Sequence, residues 1–181
     1  MKKHPKIVLL VIILLSFIIA ITIRFFNIKG YYDEATEVYR NNYLNLSIIT
    51  PPTFYIDKDL TASKNNLNEI NLFKMSNYVY EEQEVNDKVD IIATAKSLDL
   101  DFEKYCREIL INESKKTNTQ PISKVSKEDK YTTQEYKNKD WYYKIYLVER
   151  KGYIINITIK YKDINNKELY LSYIDYITGL E

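Results

Sequence analysis

Five carboxylates within ten residues are the first candidates for chemistry in this sequence: Glu81, Glu82, Glu84, Asp87 and Asp90. Carboxylates grouped this closely can bind Ca²⁺ or share the acid and base roles of a hydrolase. Their spacing matches no calcium loop, and the glycine that an EF-hand turn requires is missing. The pattern therefore favours a solvated strand face and turn, with a carboxylate-dependent hydrolase as the less favoured alternative.

Other kinds of catalytic site need residue types or motifs that are missing after the N-terminal apolar run. His4 is the only histidine and precedes the apolar N-terminal run, which excludes Ser-His, Cys-His and His-metal sites elsewhere. No Gly-rich phosphate-binding motif is present. Cys106, the only cysteine, cannot form an internal disulfide, and its apolar helical position predicts a small buried side chain. We therefore expect no enzyme, no cofactor and no metal site.

Tyrosine is unusually frequent, with 18 copies in the 181-residue chain. Several crowd one predicted hairpin and the last predicted helix, among them Tyr142, Tyr146 and Tyr170. Aromatic side chains on a surface can bind peptides or glycans. Tyrosine is also a good strand former that packs well in a core. Packing within strands and the core is the favoured role of the tyrosines. If some of them form an interaction surface instead, Tyr142, Tyr146 and Tyr170 are the candidates.

The N-terminal segment predicts a membrane anchor. Residues 7–23 carry no charge and as a helix would reach roughly 25 Å, so we expect a transmembrane signal anchor over residues 7–26. Lys2, Lys3 and Lys6 precede it, which places residues 1–6 in the cytoplasm. A cleaved signal peptide is the main alternative, although no Ala-x-Ala pattern follows the run. A lipoprotein would need a cysteine there, and a buried soluble helix is rarely apolar on every face.

The charge balance limits the partners. Five of the 26 basic residues and none of the 25 acidic residues lie in the first 29 positions, which leaves the remainder with a net charge of −4. A mildly acidic domain without a basic stripe is a poor nucleic-acid binder. Nucleic acid is therefore not an expected partner. The predicted anchor instead gives the cell membrane, crossed once, as a partner and makes the C-terminal domain extracytoplasmic, where it could contact another envelope protein.

The elements that must position these residues run in the order strands, helix, hairpin, helix. A juxtamembrane helix or linker is predicted over residues 27–42, and an extracytoplasmic domain over residues 43–181. Alternating polar and apolar residues predict strands, and a helix capped by Asp99 is expected to end near Glu113. The polar stretch 114–140 is predicted to be a long loop with some irregular strand. The predicted strands lie at residues 44–48, 54–56, 71–75, 77–84 and 89–95.

A long hairpin is the strongest local signal. Residues 141–148 and 153–161 are rich in β-branched and aromatic residues and are joined by residues 149–152. The odd-numbered residues of both segments form two apolar rows, which are expected to line one core. A last helix over residues 167–177 is predicted, with Asn165 as its N-cap, Leu169 in its buried stripe and Gly179 after its end. These elements predict an α+β fold, a mostly antiparallel sheet covered by helices.

The run YRNNYLNLSIITPPTF, residues 39–54, resembles the opening of PsbP-like and DcrB-like exported domains. In those domains a strand of this pattern is followed by proline and an aromatic residue. The helix opened by Ser97 and Leu98, the hairpin and the closing helix follow in the same order. Asn45 here replaces the usual glycine, and Phe54 the usual tryptophan. The resemblance implies an α-β-α sandwich over about residues 39–180, used in accessory and binding proteins, and carries no catalytic residues.

These observations predict a membrane-anchored extracytoplasmic domain that is not an enzyme. Its expected role is binding or accessory contact with a protein or envelope component. A small-ligand module for a lipid or a glycan is the alternative.

Overall fold

The structure is a computed structural model that describes residues 5–57, 69–78, 87–99 and 101–178. A long N-terminal helix, α1 (Pro5–Lys29), precedes a domain built mainly from strands. The other helices are α2 (Phe102–Ser114) and α3 (Lys167–Leu171), and 3-10 turns at Ile164–Asn166 and Ser172–Tyr176 flank α3. The strands are β1 (Tyr31–Asp33), β2 (Val38–Asn41), β3 (Leu46–Ile49), β4 (Tyr55–Ile56), β5 (Glu69–Ser76), β6 (Val89–Ser97), β7 (Thr119–Pro121), β8 (Ser126–Glu128), β9 (Tyr131–Asn138), β10 (Trp141–Arg150), β11 (Tyr153–Tyr161) and β12 (Ile177–Thr178).

The described strands form two antiparallel sheets. A small sheet has the order β1-β2-β3-β12, and a large sheet has the order β4-β5-β6-β11-β10-β9-β7, with β8 also paired to β9. Long-range pairing places β6 beside β11, so the two halves of the large sheet are joined at its centre. Mostly antiparallel sheets with a few helices confirm the predicted α+β class.

Different elements cover the two faces of the large sheet. One face packs against the small sheet and α3, in a core that includes Tyr39, Ile91 and Ile157. The other face packs against α2 in a second cluster that includes Cys106 and Leu110. Burial raises the pKa of the Cys106 thiol to about 11, in agreement with its predicted role as a small buried side chain.

Helix α1 runs through the segment predicted to be the membrane anchor. Its side chains are described for residues 7–22, and all of them are exposed. Within the described residues, no helix is both long enough and apolar enough to cross a membrane. The transmembrane segment predicted over residues 7–26 is therefore not confirmed.

The juxtamembrane helix predicted after the anchor is wrong, because this segment forms the hairpin of β1 and β2. Tyr31 pairs with Arg40 across the hairpin. The carboxylate of Asp33 accepts hydrogen bonds from the Ala35 N–H and the Thr36 hydroxyl at 3.0 and 2.7 Å, which fixes the turn between the strands. Short-range carboxylate bonds of this kind compete with helix formation, and here the turn is favoured.

The predicted hairpin is confirmed as β10 and β11, but the prediction that its two apolar rows line one core is wrong. The loop has two residues, Lys151 and Gly152, with φ of 48° and 74°, as in a type I′ turn. Arg150 therefore pairs with Tyr153, and odd-numbered residues of β10 lie opposite even-numbered residues of β11. Opposed residues share a face, so the two rows lie on opposite faces of the sheet.

The loop with irregular strand predicted over residues 114–140 is only partly right, because the regular strands β7, β8 and β9 occupy much of it. The polar residues of β9 misled the prediction, since Thr133 and Gln134 are buried within the sheet. Their polar groups are satisfied inside the protein. Thr133 donates to Glu128 Oε1 at 3.0 Å, and the Gln134 amide donates to the Ser123 carbonyl at 3.1 Å.

The two predicted domain helices differ from the structure at their ends. α2 is confirmed, but its N-cap is Asp101 rather than Asp99, since Asp101 accepts from the Lys104 N–H at 3.1 Å. The last helix begins at Lys167 as predicted but ends at Leu171, because a 3-10 turn at Ser172–Tyr176 replaces its C-terminal half. The residue at its N-cap is Asn166 rather than Asn165. Leu169 points outward and is 56% exposed. Gly179 lies outside the described residues, as do most of residues 57–69 and 77–84.

Candidate binding groove

Among the described residues, helix α2 covers only part of one face of the large sheet and leaves the rest open. Along β6 and β11, residues alternate between the first core and this open part, as the period of a strand requires. The open part forms a groove of about 470 Å³ next to the C-terminal end of α2. Its lining includes Glu69, Ile92, Thr94, Glu113, Lys116, Trp141, Tyr143, Asn156, Thr158 and Lys160. The volume is within the range of small-molecule sites.

Three hydrogen-bonded side chains form the wall at the end of α2. The Tyr143 hydroxyl donates to Glu113 Oε1 at 2.9 Å, and the Lys116 ammonium pairs with Glu113 Oε2 at 2.7 Å. The Tyr143 ring stacks on Tyr136, with centroids 5.4 Å apart. Burial raises the pKa of Tyr143, and the Glu113 charge adds to the effect, so the phenol remains a donor. Glu113 is therefore held by two partners.

The floor combines hydrogen-bonding and apolar groups. Thr94 of β6 lies directly opposite Asn156 of β11, and Ile92 lies opposite Thr158. The Thr158 hydroxyl donates to Asn156 Oδ1 at 3.3 Å. These side chains are half-buried, so their remaining hydrogen-bonding capacity faces the groove. The floor can therefore bind a ligand that carries both hydroxyl groups and apolar surface.

Trp141 and Lys160 line one end of the groove, and Lys162 lies beside the same aromatic ring. The Lys160 ammonium lies 4.4 Å from the centroid of the Trp141 ring, and the Lys162 ammonium lies 5.1 Å from it. Each ammonium is within the range of a cation–π interaction. Nearby, the Asn138 amide donates to the Thr119 hydroxyl at 2.7 Å, which ties β9 to β7. This end of the groove is therefore positively charged and aromatic.

The tyrosines proposed from the sequence as an interaction surface are placed differently. Tyr142 is half-buried, stacks on Tyr161 and has the Lys137 ammonium 5.0 Å from its ring centroid. Tyr146 and Tyr170 are each only 3% exposed. These two belong to the first core instead, since their faces of β10 and α3 are turned towards the small sheet.

The acidic group that suggested a hydrolase is only partly described. Glu81, Glu82 and Glu84 lie outside the described residues. Asp87 is exposed, whereas Asp90 is buried and accepts hydrogen bonds from the Ser76 hydroxyl at 2.6 Å and the Tyr78 hydroxyl at 2.9 Å. Asp90 thus has a structural partner on each oxygen. Among the described side chains, no group of three or more His, Cys, Asp or Glu is arranged to bind a metal.

Sequence reasoning missed the groove. Trp141 was expected to line the same core as the odd-numbered row of β11, and no signal placed Asn156 and Thr158 beside it. Alternation in β11 did mark Asn156, Thr158 and Lys160 as facing away from a core. The local pattern does not reveal where α2 packs, and the position of α2 determines how much of that face is covered.

Comparisons with known proteins support the fold and do not establish a family. No family model matches the chain, and neither does a curated protein sequence. The solution structure of PsbP (CyanoP) from the cyanobacterium Synechocystis sp. PCC 6803 is 12% identical, with a TM-score of 0.50, over 78% of this chain and 91% of that one. LpqN, involved in cell envelope biogenesis of Mycobacterium tuberculosis, is 7% identical, with a TM-score of 0.45, over 74% of this chain and 82% of that one. The likeness to PsbP shows that the chain has a PsbP-like fold, as its resemblance to that group implied.

Proposed function

We propose that this protein is a non-enzymatic accessory domain that binds its partner through the groove and is anchored in a membrane by α1. The groove carries the proposal, because α2 leaves open a concave site with a volume of about 470 Å³ on the large sheet. Its carboxylate Glu113 already has two hydrogen-bonded partners, Tyr143 and Lys116. Such a site is suited to holding a ligand, and the expected partner is a protein or another component of the envelope.

The exposed apolar surface of α1 supports the membrane part of the proposal. Side chains such as Leu10 and Phe17 are 69% and 65% exposed, and the described residues of α1 are exposed around the whole helix. At its 25 residues, α1 would be about 37 Å long. Apolar surface on every side of a helix is stable in hydrocarbon rather than in water. Lys2, Lys3 and Lys6 would keep the N-terminus cytoplasmic and place the domain outside.

A photocrosslinking experiment in native membranes tests the binding role. A photoreactive amino acid replaces Thr94 in the groove floor, and a matched variant carries it at Arg107 on the exposed side of α2. The expected result is a defined adduct from position 94 and none from position 107. Equal adducts from both positions, or none from position 94, would contradict the groove as the contact site.

A small-ligand module is the second candidate, and the size and mixed polarity of the groove favour it. Thermal-shift measurements on the full chain in detergent, with panels of envelope lipids and glycans, distinguish it from a protein-binding role. A ligand that fills the groove should raise the midpoint, because it binds the folded state alone. An unchanged midpoint across both panels would count against this candidate.

A further inference from the structure

Two lysines share one aromatic ring, that of Trp141, which lines the groove together with Lys160. Lys160 is near the end of β11 and Lys162 directly follows the strand, and both ammonium groups lie close to the Trp141 ring. Cation–π contacts with one ring hold the two positive charges near each other. Two ammonium groups held in this way attract an anion more strongly than one, and fix where it binds.

The carboxylates near these lysines are engaged by other groups. In the groove lining, Glu113 pairs with Lys116, and Glu69 lies opposite Lys96 of β6. Among the described residues neither Lys160 nor Lys162 forms an ion pair, whereas Lys116, Lys144 and Lys167 each do. Asp90 faces Lys160 across the strands, but it is buried and bound by Ser76 and Tyr78.

The carboxylate that follows Lys162 is also engaged. Asp163 accepts hydrogen bonds from the Asn165 N–H at 2.9 Å and the Asn166 amide at 3.0 Å. Residues 30–181 carry a net charge of −4, so this local excess of positive charge opposes the charge of the domain as a whole. An anionic ligand is the chemistry that fits it.

We propose that the groove binds an acidic glycan, whose carboxylate or phosphate lies against Lys160 and Lys162. The sugar hydroxyl groups then hydrogen-bond to Thr94, Asn156 and Thr158 along the floor, and the acidic group lies beside the Trp141 ring that holds the two lysines. This proposal rests on the proposed function and names the class of ligand for the same groove.

The structure favours a glycan over an acidic peptide or a lipid. β6 and β11 are paired on both sides, so the floor offers no free strand edge to the main chain of a peptide. An acyl chain would need an enclosed apolar chamber. Here the aliphatic residues Ile92 and Ile145 alternate with polar ones in an open groove. A polar ligand with an acidic group meets neither obstacle.

The fluorescence of Trp141 tests the proposal directly, because it is the only tryptophan in the chain. The full chain in non-ionic detergent is titrated with oligogalacturonate, a carboxylated glycan, and with a neutral galactose oligomer of the same length. We expect a saturable change in emission with the acidic glycan alone, and weaker binding as salt increases. Calorimetry under the same conditions measures the affinity independently of the fluorophore.

Charge-neutral variants locate the binding site. The double variant Lys160→Gln with Lys162→Gln should lower the affinity roughly tenfold, whereas Lys124→Gln, an exposed lysine outside the groove, should leave it unchanged. Lys160→Arg keeps the charge and should keep binding. If the double variant does not fold, Thr158→Val removes one floor hydroxyl and should weaken binding without a change in charge.

Several results would overturn the inference. Equal binding of the neutral oligomer, or no binding of oligogalacturonate, removes it. Competition at Trp141 by polyglutamate but not by the glycan points to an acidic peptide instead. A blue shift with anionic phosphatidylglycerol vesicles but not with the glycan points to a lipid surface. If these glycan results are negative while position 94 still crosslinks a partner in membranes, the proposed function stands and only the glycan is excluded.

Discussion

At the scale of single residues, the hydroxyl groups of two tyrosines of the domain are in opposite situations. The Tyr143 hydroxyl donates to Glu113, whereas the Tyr170 hydroxyl reaches no hydrogen-bond partner in the described part of the chain. Asn166 and Asp87 lie near Tyr170 and affect its electrostatics without hydrogen-bond geometry. Burial raises the pKa of both phenols, so both remain neutral.

Removing these two hydroxyl groups should therefore give different results. Tyr143→Phe should lower the free energy of unfolding by about 1 kcal/mol, because a hydrogen bond to a charged carboxylate is lost. Tyr170→Phe should leave it unchanged or raise it by up to about 1 kcal/mol, because a desolvated, unpaired group is removed. Urea unfolding of the full chain in detergent measures both. Equal losses for the two variants would show that the Tyr170 hydroxyl has a partner.

Gly30, which connects α1 to β1, is a position that tolerates no side chain. Its φ is +72°, and an added Cβ would lie 2.5 Å from both the Arg40 carbonyl oxygen and the Tyr39 hydroxyl. Gly30→Ala should lower the free energy of unfolding by about 2–4 kcal/mol, because left-handed backbone strain adds to the steric collision. Gly152→Ala is the matched control, since its φ is +74° but nothing lies within 4 Å, and it should cost only about 1–2 kcal/mol. The thermal midpoints of the two variants compare these costs, and equal shifts would contradict the close approach.

At the scale of elements, Glu128 fastens the short strand β8 to the large sheet. It accepts hydrogen bonds from the Lys144 ammonium at 2.6 Å, the Thr133 hydroxyl at 3.0 Å and the Ser126 hydroxyl at 3.2 Å. Burial raises the pKa of Glu128, but these hydrogen bonds outweigh it and hold the pKa below its ordinary value. The Lys144 side chain is buried, so Glu128 is also the counter-charge that makes its burial tolerable.

Replacing this carboxylate should change both the stability and its dependence on pH. Glu128→Gln should lower the free energy of unfolding at neutral pH by about 1–3 kcal/mol. A carboxyl group with a lowered folded-state pKa stabilises the fold above its unfolded pKa, and this contribution is lost as pH falls through the folded pKa. The native chain should therefore lose more stability than Glu128→Gln as the pH falls below about 4.5.

Glu103→Gln is the control for this prediction. It breaks the exposed pair between Lys127 and Glu103 at 3.0 Å and should change the stability by less than about 0.5 kcal/mol. Chemical unfolding at a series of pH values measures all three proteins. Parallel pH profiles for the native chain and Glu128→Gln would contradict the role of this carboxylate.

The elements that the sequence predicts well are those whose side-chain pattern is decided locally. β10, β11 and α2 have strong strand or helix periodicity, and all three were found. β9 was missed because Thr133 and Gln134 are buried by partners that are distant in the chain, which no local pattern reports. The groove was missed for the same reason, because it depends on where α2 ends relative to β6 and β11.

At the scale of the whole molecule, α1 and the domain have opposite kinds of surface. The domain buries most of its large apolar side chains in two clusters, whereas α1 exposes every one that is described. A protein with such an asymmetry is expected to associate with other apolar material through α1 alone. The proposed membrane anchor and the folding of the domain should therefore respond independently to mutation.

Charges introduced into α1 should release the protein from membranes without unfolding the domain. Leu10→Arg with Leu14→Arg places two arginines in the proposed hydrocarbon region, at a cost of about 2.5–3.5 kcal/mol each. Ile164→Arg with Leu169→Arg is the matched control, because these residues are also exposed and apolar but belong to the domain. We expect carbonate washing to extract the first variant and to leave the control and the native chain in the membrane. Circular dichroism should show the same strand content in all three, and a native chain that carbonate extracts as readily as the Leu10/Leu14 variant would remove the anchor from the proposal.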